Sequence, residues 1–262
     1  MSDQIIIVTG ASSGIGAAAA RRLARDHARL TLAARRANRL REVGAEVERL
    51  GGEALLVPTD VTQGADVRRM VESTLERWGR VDVLVNNAGI SFDEPITGLE
   101  SDKLQQEIHV NLIAPIECAQ AVLPVMLRQR SGHIINVASI EALIASPGSS
   151  VYCATKFGLL GYSDSIRRRL RGTGVHVSTF CPGYVVSELN PRLKAHVEGR
   201  ADAQPIRGLM PAEYAGDEIA RLIRRPRRLV LVPKRWRPLI LAGVLFPWLA
   251  DALVSRFKAK RG

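Results

Sequence analysis

Cysteine is scarce in this sequence, and its scarcity narrows the class of protein. The 262 residues include three cysteines, Cys118, Cys153 and Cys181, which are widely spaced and odd in number. This pattern predicts reduced thiols in a cytoplasmic protein, with neither a disulfide framework nor a metal site. The N-terminus lacks a basic segment before its first apolar run, so no secretory signal is predicted. The length suits one large α/β domain or two small ones.

Acidic residues are almost absent from the end of the chain, and this explains the net charge of +11. Residues 221–262 contain 12 Lys and Arg residues but a single acid, Asp251, whereas residues 1–220 are balanced. The basic character therefore belongs to a tail. Nucleic acid is not an expected partner, because apolar residues interrupt the basic ones.

The tail also contains residues 238–250, thirteen positions without a charge. As a helix they would span ~20 Å, which is less than the ~30 Å hydrocarbon core, so a simple transmembrane span is not predicted. Flanking cations together with Trp236 and Trp248 are typical of a helix at the headgroup boundary. We slightly favour peripheral membrane contact through 236–257, at the cytoplasmic face, over burial against a partner subunit or the active-site mouth.

Apolar strands alternate with helical segments along most of the chain. The helical segments include long ones over 102–130 and 150–171. The predicted strands cover residues 4–8, 29–34, 53–57, 81–86, 133–138, 175–181 and 229–232. This order predicts an α/β fold with a doubly wound, seven-stranded parallel sheet, Rossmann-like, over residues 1–233. Residues 234–262 are then a helical extension, and 184–211 form a substrate loop.

A glycine-rich turn joins the first strand to the first helix. Such a turn lets the backbone approach a pyrophosphate, whose charge the helix N-terminus stabilises. The residues expected there are Gly10, Ser12, Ser13, Gly14, Ile15 and Gly16.

The second strand ends at Ala34, and two arginines follow it, Arg35 and Arg36. An acid at this position would bind a free ribose 2′-hydroxyl, whereas arginine accommodates a 2′-phosphate. We therefore expect NADP, with NAD less favoured. The alternative is that both arginines only begin the next helix, on its solvent-exposed face.

Tyr152 and Lys156 are four residues apart, so a helix places them on one face. A cation ~4 Å from the phenol at an effective dielectric of ~20 contributes roughly 4 kcal/mol, enough to lower the pKa of Tyr152 by up to about 3. The pair would then suit general acid/base catalysis. A solvated surface pair would show the same spacing.

Taken together, the motifs resemble those of the short-chain dehydrogenase/reductase family. The resemblance covers residues 4 to about 232 and implies an oxidoreductase of its compact branch. The matching positions are Thr9-Gly10-x-x-x-Gly14-x-Gly16, Asp60-Val61, Asn86-Asn87-Ala88-Gly89, Asn111, Ser139, Tyr152-x-x-x-Lys156 and Pro182-Gly183.

The resemblance implies a role for each catalytic position. Tyr152 would exchange a proton with the substrate oxygen, which Ser139 would also hold. Lys156 would lower the pKa of Tyr152 and bind the nicotinamide ribose, and Asn111 would position a water that connects Lys156 to solvent. In isolation, Asn111 could instead be a helix cap and Ser139 a loop hydroxyl.

The resemblance also implies cofactor contacts beyond the glycine turn and the arginines. Asp60 would bind the adenine end, although by itself it could be a turn former. The further positions are Val61, Asn87, Ala88, Gly89, Tyr152, Lys156, Pro182, Gly183, Val185 and Ser187, the last in place of the family's usual Thr. Glu141 would either touch substrate or, as we favour, be a solvated loop charge.

These patterns predict an NADP-dependent oxidoreductase that interconverts a carbonyl and a secondary alcohol on a small apolar, lipid-like substrate, with Tyr152 as general acid/base. We expect a homodimer or homotetramer through the two long helices. The competing hypotheses are a non-catalytic NADP(H)-sensing or scaffold protein of the same fold, and an NAD-using dehydrogenase.

Overall fold

The computed structural model describes residues 3–92, 94–95, 97–185, 209–246, 248 and 251. Its centre is a sheet of seven parallel strands in the order β3-β2-β1-β4-β5-β6-β7. The strands are Ile5–Thr9 (β1), Arg29–Ala34 (β2), Glu53–Pro58 (β3), Val83–Asn86 (β4), Gly132–Val137 (β5), Val175–Pro182 (β6) and Leu229–Val232 (β7). The predicted doubly wound fold is confirmed.

Helices connect the strands and cover both faces of the sheet. They are Gly14–Ala24 (α1), Ala37–Arg49 (α2), Gly64–Trp78 (α3), Ser101–Ile108 (α4), Ala114–Gln129 (α5), Ser150–Arg169 (α6), Ala212–Arg224 (α7) and Arg237–Leu245 (α8). One hydrophobic core lies between the sheet and α1, α2 and α7. A second lies on the other face, between the sheet and α3 and α5. Successive side chains of a strand point to opposite faces of the sheet. In β1, Ile6 and Val8 therefore pack in the first core and Ile7 packs in the second.

The predicted helix over 102–130 is interrupted in the structure. A π-helical turn, His109–Ile113, separates α4 from α5. The apolar periodicity continues through this turn, so the sequence pattern did not reveal it. Single π-turns inside helices are frequent at functional sites, and this one contains Asn111.

The helical tail is interrupted within the apolar stretch, because Phe246 is not helical whereas Trp248 and Asp251 are. α8 ends at Leu245, with Phe246 as its C-cap, well before position 250. Within the described ranges, one helical stretch, Ser101–Gln129, is long and apolar enough to cross a membrane, but half of its most apolar window is buried inside the protein, as in an ordinary core helix. Ser187 and most of the predicted substrate loop lie outside the described residues, and the proposed boundary at 233 stays a prediction.

Candidate active site

The candidate site lies at the carboxyl ends of the strands, around the point where the strand order reverses. β1 pairs with β2 on one side and with β4 on the other, so a crevice opens between the segments that follow β1 and β4. In doubly wound sheets, ligands bind in this crevice. The predicted glycine turn follows β1, and Asn87-Ala88-Gly89 follow β4.

The glycine turn is packed so closely that side chains would not fit. Gly10 has a φ of +64°, and a Cβ there would lie 2.8 Å from Cα of Ala88. A Cβ on Gly16 would lie 2.4 Å from the carbonyl oxygen of Gly10. Asn87 secures the turn, since its Nδ2 donates to the carbonyl oxygens of Thr9 and Gly10 at 3.0 and 3.2 Å.

At its glycines the turn therefore presents backbone at the N-terminus of α1. Gly14, with a φ of +54°, begins that helix, and Ile15 and Gly16 form its first turn. Exposed N–H groups at a helix N-terminus favour an anionic group. These residues fit the pyrophosphate of a dinucleotide.

Arg36 lies over the same turn. Its Nη2 donates to the hydroxyls of Ser12 and Ser13 at 3.2 and 2.8 Å. Arg35 is exposed at the end of β2. Arg36 therefore lies beside the glycine turn, as expected of a guanidinium that receives a ribose phosphate.

Asp60 serves the local turn after β3. Its Oδ1 accepts hydrogen bonds from the backbone N–H and the hydroxyl of Thr62, at 3.0 and 2.8 Å. The turn-forming interpretation therefore applies to this residue. Its contact with the adenine end of the cofactor stays a prediction. Val61 beside it is buried.

Asn111 joins the π-turn to the segment after β4. Its Nδ2 donates to the carbonyl oxygen of Ile90 at 2.8 Å, and its Oδ1 accepts from the N–H of Ile90 at 2.9 Å. The side chain is 1% exposed. Asn111 is therefore not a helix cap but a buried clamp between two elements of the site.

Ser139, Tyr152 and Lys156 are all buried and come together at the ends of β5 and α6. The Ser139 hydroxyl accepts a hydrogen bond from the N–H of Glu141 at 3.1 Å, and it lowers the pKa of Tyr152. Nζ of Lys156 lies 5.3 Å from the centroid of the Tyr152 ring and donates to the carbonyl oxygen of Val137 at 3.3 Å. Three of the four predicted catalytic residues, Ser139, Tyr152 and Lys156, therefore form one cluster.

The pKa of Tyr152 differs from the sequence-based estimate. Burial raises it well above its ordinary value, the charges of Glu141 and Glu107 raise it further, and the hydrogen bond from Ser139 opposes the rise. The net shift is therefore upward, opposite to the lowering that the sequence predicted, because desolvation of the phenolate is its largest cause. Burial also lowers the pKa of Lys156, to about 8.

Acidic residues near the cluster were missed or misjudged in the sequence. Glu141 is not a solvated charge: it is partly buried and accepts hydrogen bonds from the Ser146 and Ser149 hydroxyls. Glu107 is 1% exposed, and burial followed by the charge of Glu94 raises its pKa to about 7. Its position four residues before Asn111, and so on the same buried helix face, was the signal that could have revealed it.

The last predicted cofactor residues follow β6. Pro182 ends the strand, and the N–H of Gly183 donates to the carbonyl oxygen of Val232 at 2.7 Å. Val185 forms a bridge with Met210, which closes the ends of the substrate loop. Both Val185 and Met210 are buried.

A doubly wound sheet with a glycine cradle and a buried Ser–Tyr–Lys cluster defines a nicotinamide-dependent oxidoreductase. The chain matches the family described as short chain dehydrogenase over residues 4–198. It is 34% identical over 227 residues to a 3-oxoacyl-[acyl-carrier-protein] reductase from Synechocystis sp., covering 86% of this chain and 89% of the relative. It is 39% identical over 191 residues to an uncharacterized oxidoreductase from Listeria innocua, covering 72% and 77%. The chain belongs to the short-chain dehydrogenase/reductase family and is an NAD(P)-dependent oxidoreductase.

Solved structures show the same fold. A metagenomic short-chain oxidoreductase in complex with NADP has a TM-score of 0.75 and 32% identity, and the match covers 88% of this chain and 97% of that one. A short-chain dehydrogenase/reductase from Burkholderia phymatum in complex with NAD has a TM-score of 0.84 and 25% identity, with 95% of each chain covered. The two neighbours differ in which nicotinamide cofactor they hold.

Proposed function

We propose that the protein interconverts a carbonyl and a secondary alcohol by hydride transfer, with NADP as cofactor and Tyr152 as general acid/base. The observation that carries this proposal is the buried cluster of Ser139, Tyr152 and Lys156 at the carboxyl edge of the sheet, next to the glycine cradle. An intact cluster of this kind argues against the non-catalytic sensing or scaffold hypothesis.

When bound, the reduced cofactor supplies the hydride that converts a carbonyl carbon into an alkoxide carbon. Tyr152 donates its phenolic proton to the alkoxide oxygen, and the Ser139 hydroxyl donates a hydrogen bond to the same oxygen. These donors act where negative charge develops, which is where stabilisation accelerates the reaction. Because the pKa of Tyr152 is raised, the phenol is protonated at neutral pH and holds the proton that carbonyl reduction needs.

The contacts of Arg36 support NADP over NAD. The guanidinium bonds to Ser12 and Ser13 in the cofactor-binding turn, where it can pair with a 2′-phosphate. The NADP complex of the metagenomic oxidoreductase, at 32% identity, agrees with this choice. The NAD complex of the Burkholderia protein keeps the NAD-using alternative open to the test described below.

We further propose a small apolar, lipid-like substrate. The relative from Synechocystis is named for a reaction on 3-oxoacyl chains, which are apolar beyond the reacting carbonyl. Leu143, Ile144 and Trp236 are partly buried and pack against one small apolar core, which includes Ala138 after β5 and Leu231 of β7. They give an apolar chain a surface to contact near Ser139.

Replacement of Tyr152 by Phe tests the mechanism. The substitution removes only the hydroxyl, so we expect turnover of a reducible carbonyl to fall by at least about 100-fold. Binding of NADPH, followed by its fluorescence, should be unchanged. Tyr162→Phe is the matched control, because Tyr162 is also on α6 and partly buried. A Tyr152→Phe enzyme with wild-type turnover would contradict the proposal.

We also propose two contacts of the whole protein. Exposed apolar side chains on the outer faces of the π-turn, α5 and α6, namely Ile113, Leu127 and Phe157, support a homodimer or homotetramer through these helices. The basic, apolar tail supports a cytoplasmic protein that associates peripherally with a membrane.

A further inference from the structure

The helix that carries the catalytic tyrosine, α6, takes its N-terminal cap from a distant part of the chain. The first N–H groups of any helix have no acceptor within it and need one from outside. Within the described part of the chain, the hydroxyl of the N-cap residue Ser149 bonds not to such an N–H but to the Ser146 hydroxyl, at 2.7 Å, and to the Glu141 carboxylate. Residues 150–153, the first turn of α6, are Ser-Val-Tyr-Cys and supply no acid.

Glu94 provides the missing acceptor. It lies in the connection between β4 and α4 and is partly buried. One carboxylate oxygen, Oε2, accepts a hydrogen bond from the N–H of Val151 at 3.2 Å, and Oε1 accepts one from the hydroxyl of Ser150. The helix dipole and the exposed N–H groups both stabilise a carboxylate in this position. Glu94 therefore does for α6, from 56 residues earlier in the chain, what an N-cap side chain normally does locally.

The same connection is held at its other end by Asn111. The Asn111 side chain bonds to both the N–H and the carbonyl oxygen of Ile90, at 2.9 and 2.8 Å. The stretch from Ile90 to Glu94, which we call the strap, is therefore bonded to the π-turn at one end and to α6 at the other. Ser139 follows β5, the neighbour of β4 in the sheet. The strap thus links elements that surround the catalytic cluster.

The cap acts on the part of α6 that carries Tyr152. Tyr152 directly follows Val151 in the first turn. Further along the helix, Leu159 is 1% exposed and the Ser163 hydroxyl accepts a hydrogen bond from Asn136 at 2.8 Å. Loss of the cap should therefore loosen the first turn and leave the body of the helix in place. A displacement of ~1 Å at a reacting group can reduce the rate by about 100-fold.

We propose that Glu94 is a positioning residue, which caps α6 from the strap and so holds Tyr152 in place for proton transfer. The proposal rests on the proposed function, in which Tyr152 gives its proton to the substrate oxygen. Glu94 exchanges no proton in this role. Its carboxylate fixes the backbone that carries the phenol, so the Val151 amide reports on the cap and kcat reports on its consequence.

The test compares wild type with Glu94→Ala. Amide hydrogen exchange, followed by NMR, should be at least about tenfold faster at Val151 and unchanged at Leu159, since only the first turn loses its acceptor. The kcat for carbonyl reduction should fall by about tenfold. The KM for NADPH should stay within about twofold of wild type, because the glycine turn is untouched. Glu94→Gln keeps an oxygen acceptor without the charge and should restore part of both losses.

Two further variants serve as controls. Glu100 is an exposed acid of the same β4–α4 connection, where it pairs with Lys103 at 2.9 Å. Glu100→Ala should therefore change neither exchange at Val151 nor kcat. In a Tyr152→Phe background, adding Glu94→Ala should lower the residual rate by less than about twofold, because the hydroxyl that Glu94 positions is already gone.

Each measurement has an outcome that would overturn the proposal. Unchanged exchange at Val151 in Glu94→Ala would rule out the cap, and faster exchange with wild-type kcat would rule out the positioning of Tyr152. A full tenfold loss in the Tyr152→Phe background would show that Glu94 acts by another route. The exchange measurement needs no turnover. If wild type reduced no carbonyl, the proposed function would fail while exchange still decided whether Glu94 caps α6.

Discussion

Burial acts on Tyr152 and Lys156 in the same chemical sense, because it favours the neutral form of each. It raises the pKa of the phenol and lowers that of the ammonium. A helix that places the two residues together is therefore not enough to produce an acidic tyrosine. The charges of Glu141 and Glu107, which lie on other elements, modify both shifts but remain smaller causes than burial.

Cofactor choice is also decided by single residues, and we predict that Arg36→Ala weakens NADPH binding by about 10- to 100-fold. A charge-assisted hydrogen bond to a phosphate contributes about 1.5–3 kcal/mol, which corresponds to this range. NADH lacks the 2′-phosphate, so its affinity should change less than about threefold. Fluorescence titration of both cofactors measures the two values.

Arg41→Ala provides the control for that experiment, because Arg41 is exposed on α2 and bonds to Asn38. Arg35→Ala separates the two arginines at the strand end. Equal losses for NADPH and NADH in Arg36→Ala would refute a phosphate contact by this residue. Tighter binding of NADH than of NADPH by wild type would favour the NAD-using alternative.

At the scale of elements, the π-turn makes the site dependent on one amide side chain. We predict that Asn111→Leu lowers the free energy of unfolding by about 1–3 kcal/mol, since the N–H and C=O of Ile90 lose their partners. Urea unfolding measures this loss, and amide hydrogen exchange at Ile90 should accelerate. Gln120→Leu, an exposed site on α5, should change neither. Unchanged stability and exchange would show that the clamp contributes nothing to the native state.

The elements themselves were largely predictable from local pattern. The bounds of β2 and β7 agree with the predicted 29–34 and 229–232, because short apolar runs are read over a few neighbouring residues. The π-turn was not predictable in this way. It depends on Asn111 bonding to Ile90, 21 residues earlier in the chain, and no local period records such a contact.

The candidate site shows the same division between local and distant information. Motif spacing brought Ser139, Tyr152 and Lys156 together correctly. It missed Glu107, because the burial of a glutamate depends on which elements cover it. It also misjudged Glu141, whose partners Ser146 and Ser149 are close in sequence but act only once the turn has folded.

At the scale of the whole molecule, positive charge and exposed apolar surface coincide. Trp236 and Ile240 pack against the core beside β7, whereas Leu241, Val244 and Leu245 on α8 are 59–68% exposed. Lys234, Arg235 and Arg237 are exposed just before them. One side of α8 is therefore fixed to the protein while the other presents apolar side chains beside cations, as a helix on an anionic membrane surface does.

Removal of the tail would also remove the packing of Trp236. A membrane contact is therefore tested by substituting exposed residues of α8 and not by truncating the tail. We predict that the double variant Leu241→Glu with Val244→Glu binds vesicles containing phosphatidylglycerol at least about tenfold more weakly than wild type. Each apolar side chain contributes about 1.5–3 kcal/mol when buried, and the new acids repel the anionic surface. Co-sedimentation measures the bound fraction. Tyr214→Glu, which alters an exposed aromatic residue on α7, should partition like wild type. Wild type should prefer these vesicles to neutral phosphatidylcholine. Equal partitioning of wild type and the double variant would instead assign the exposed side of α8 to a protein partner.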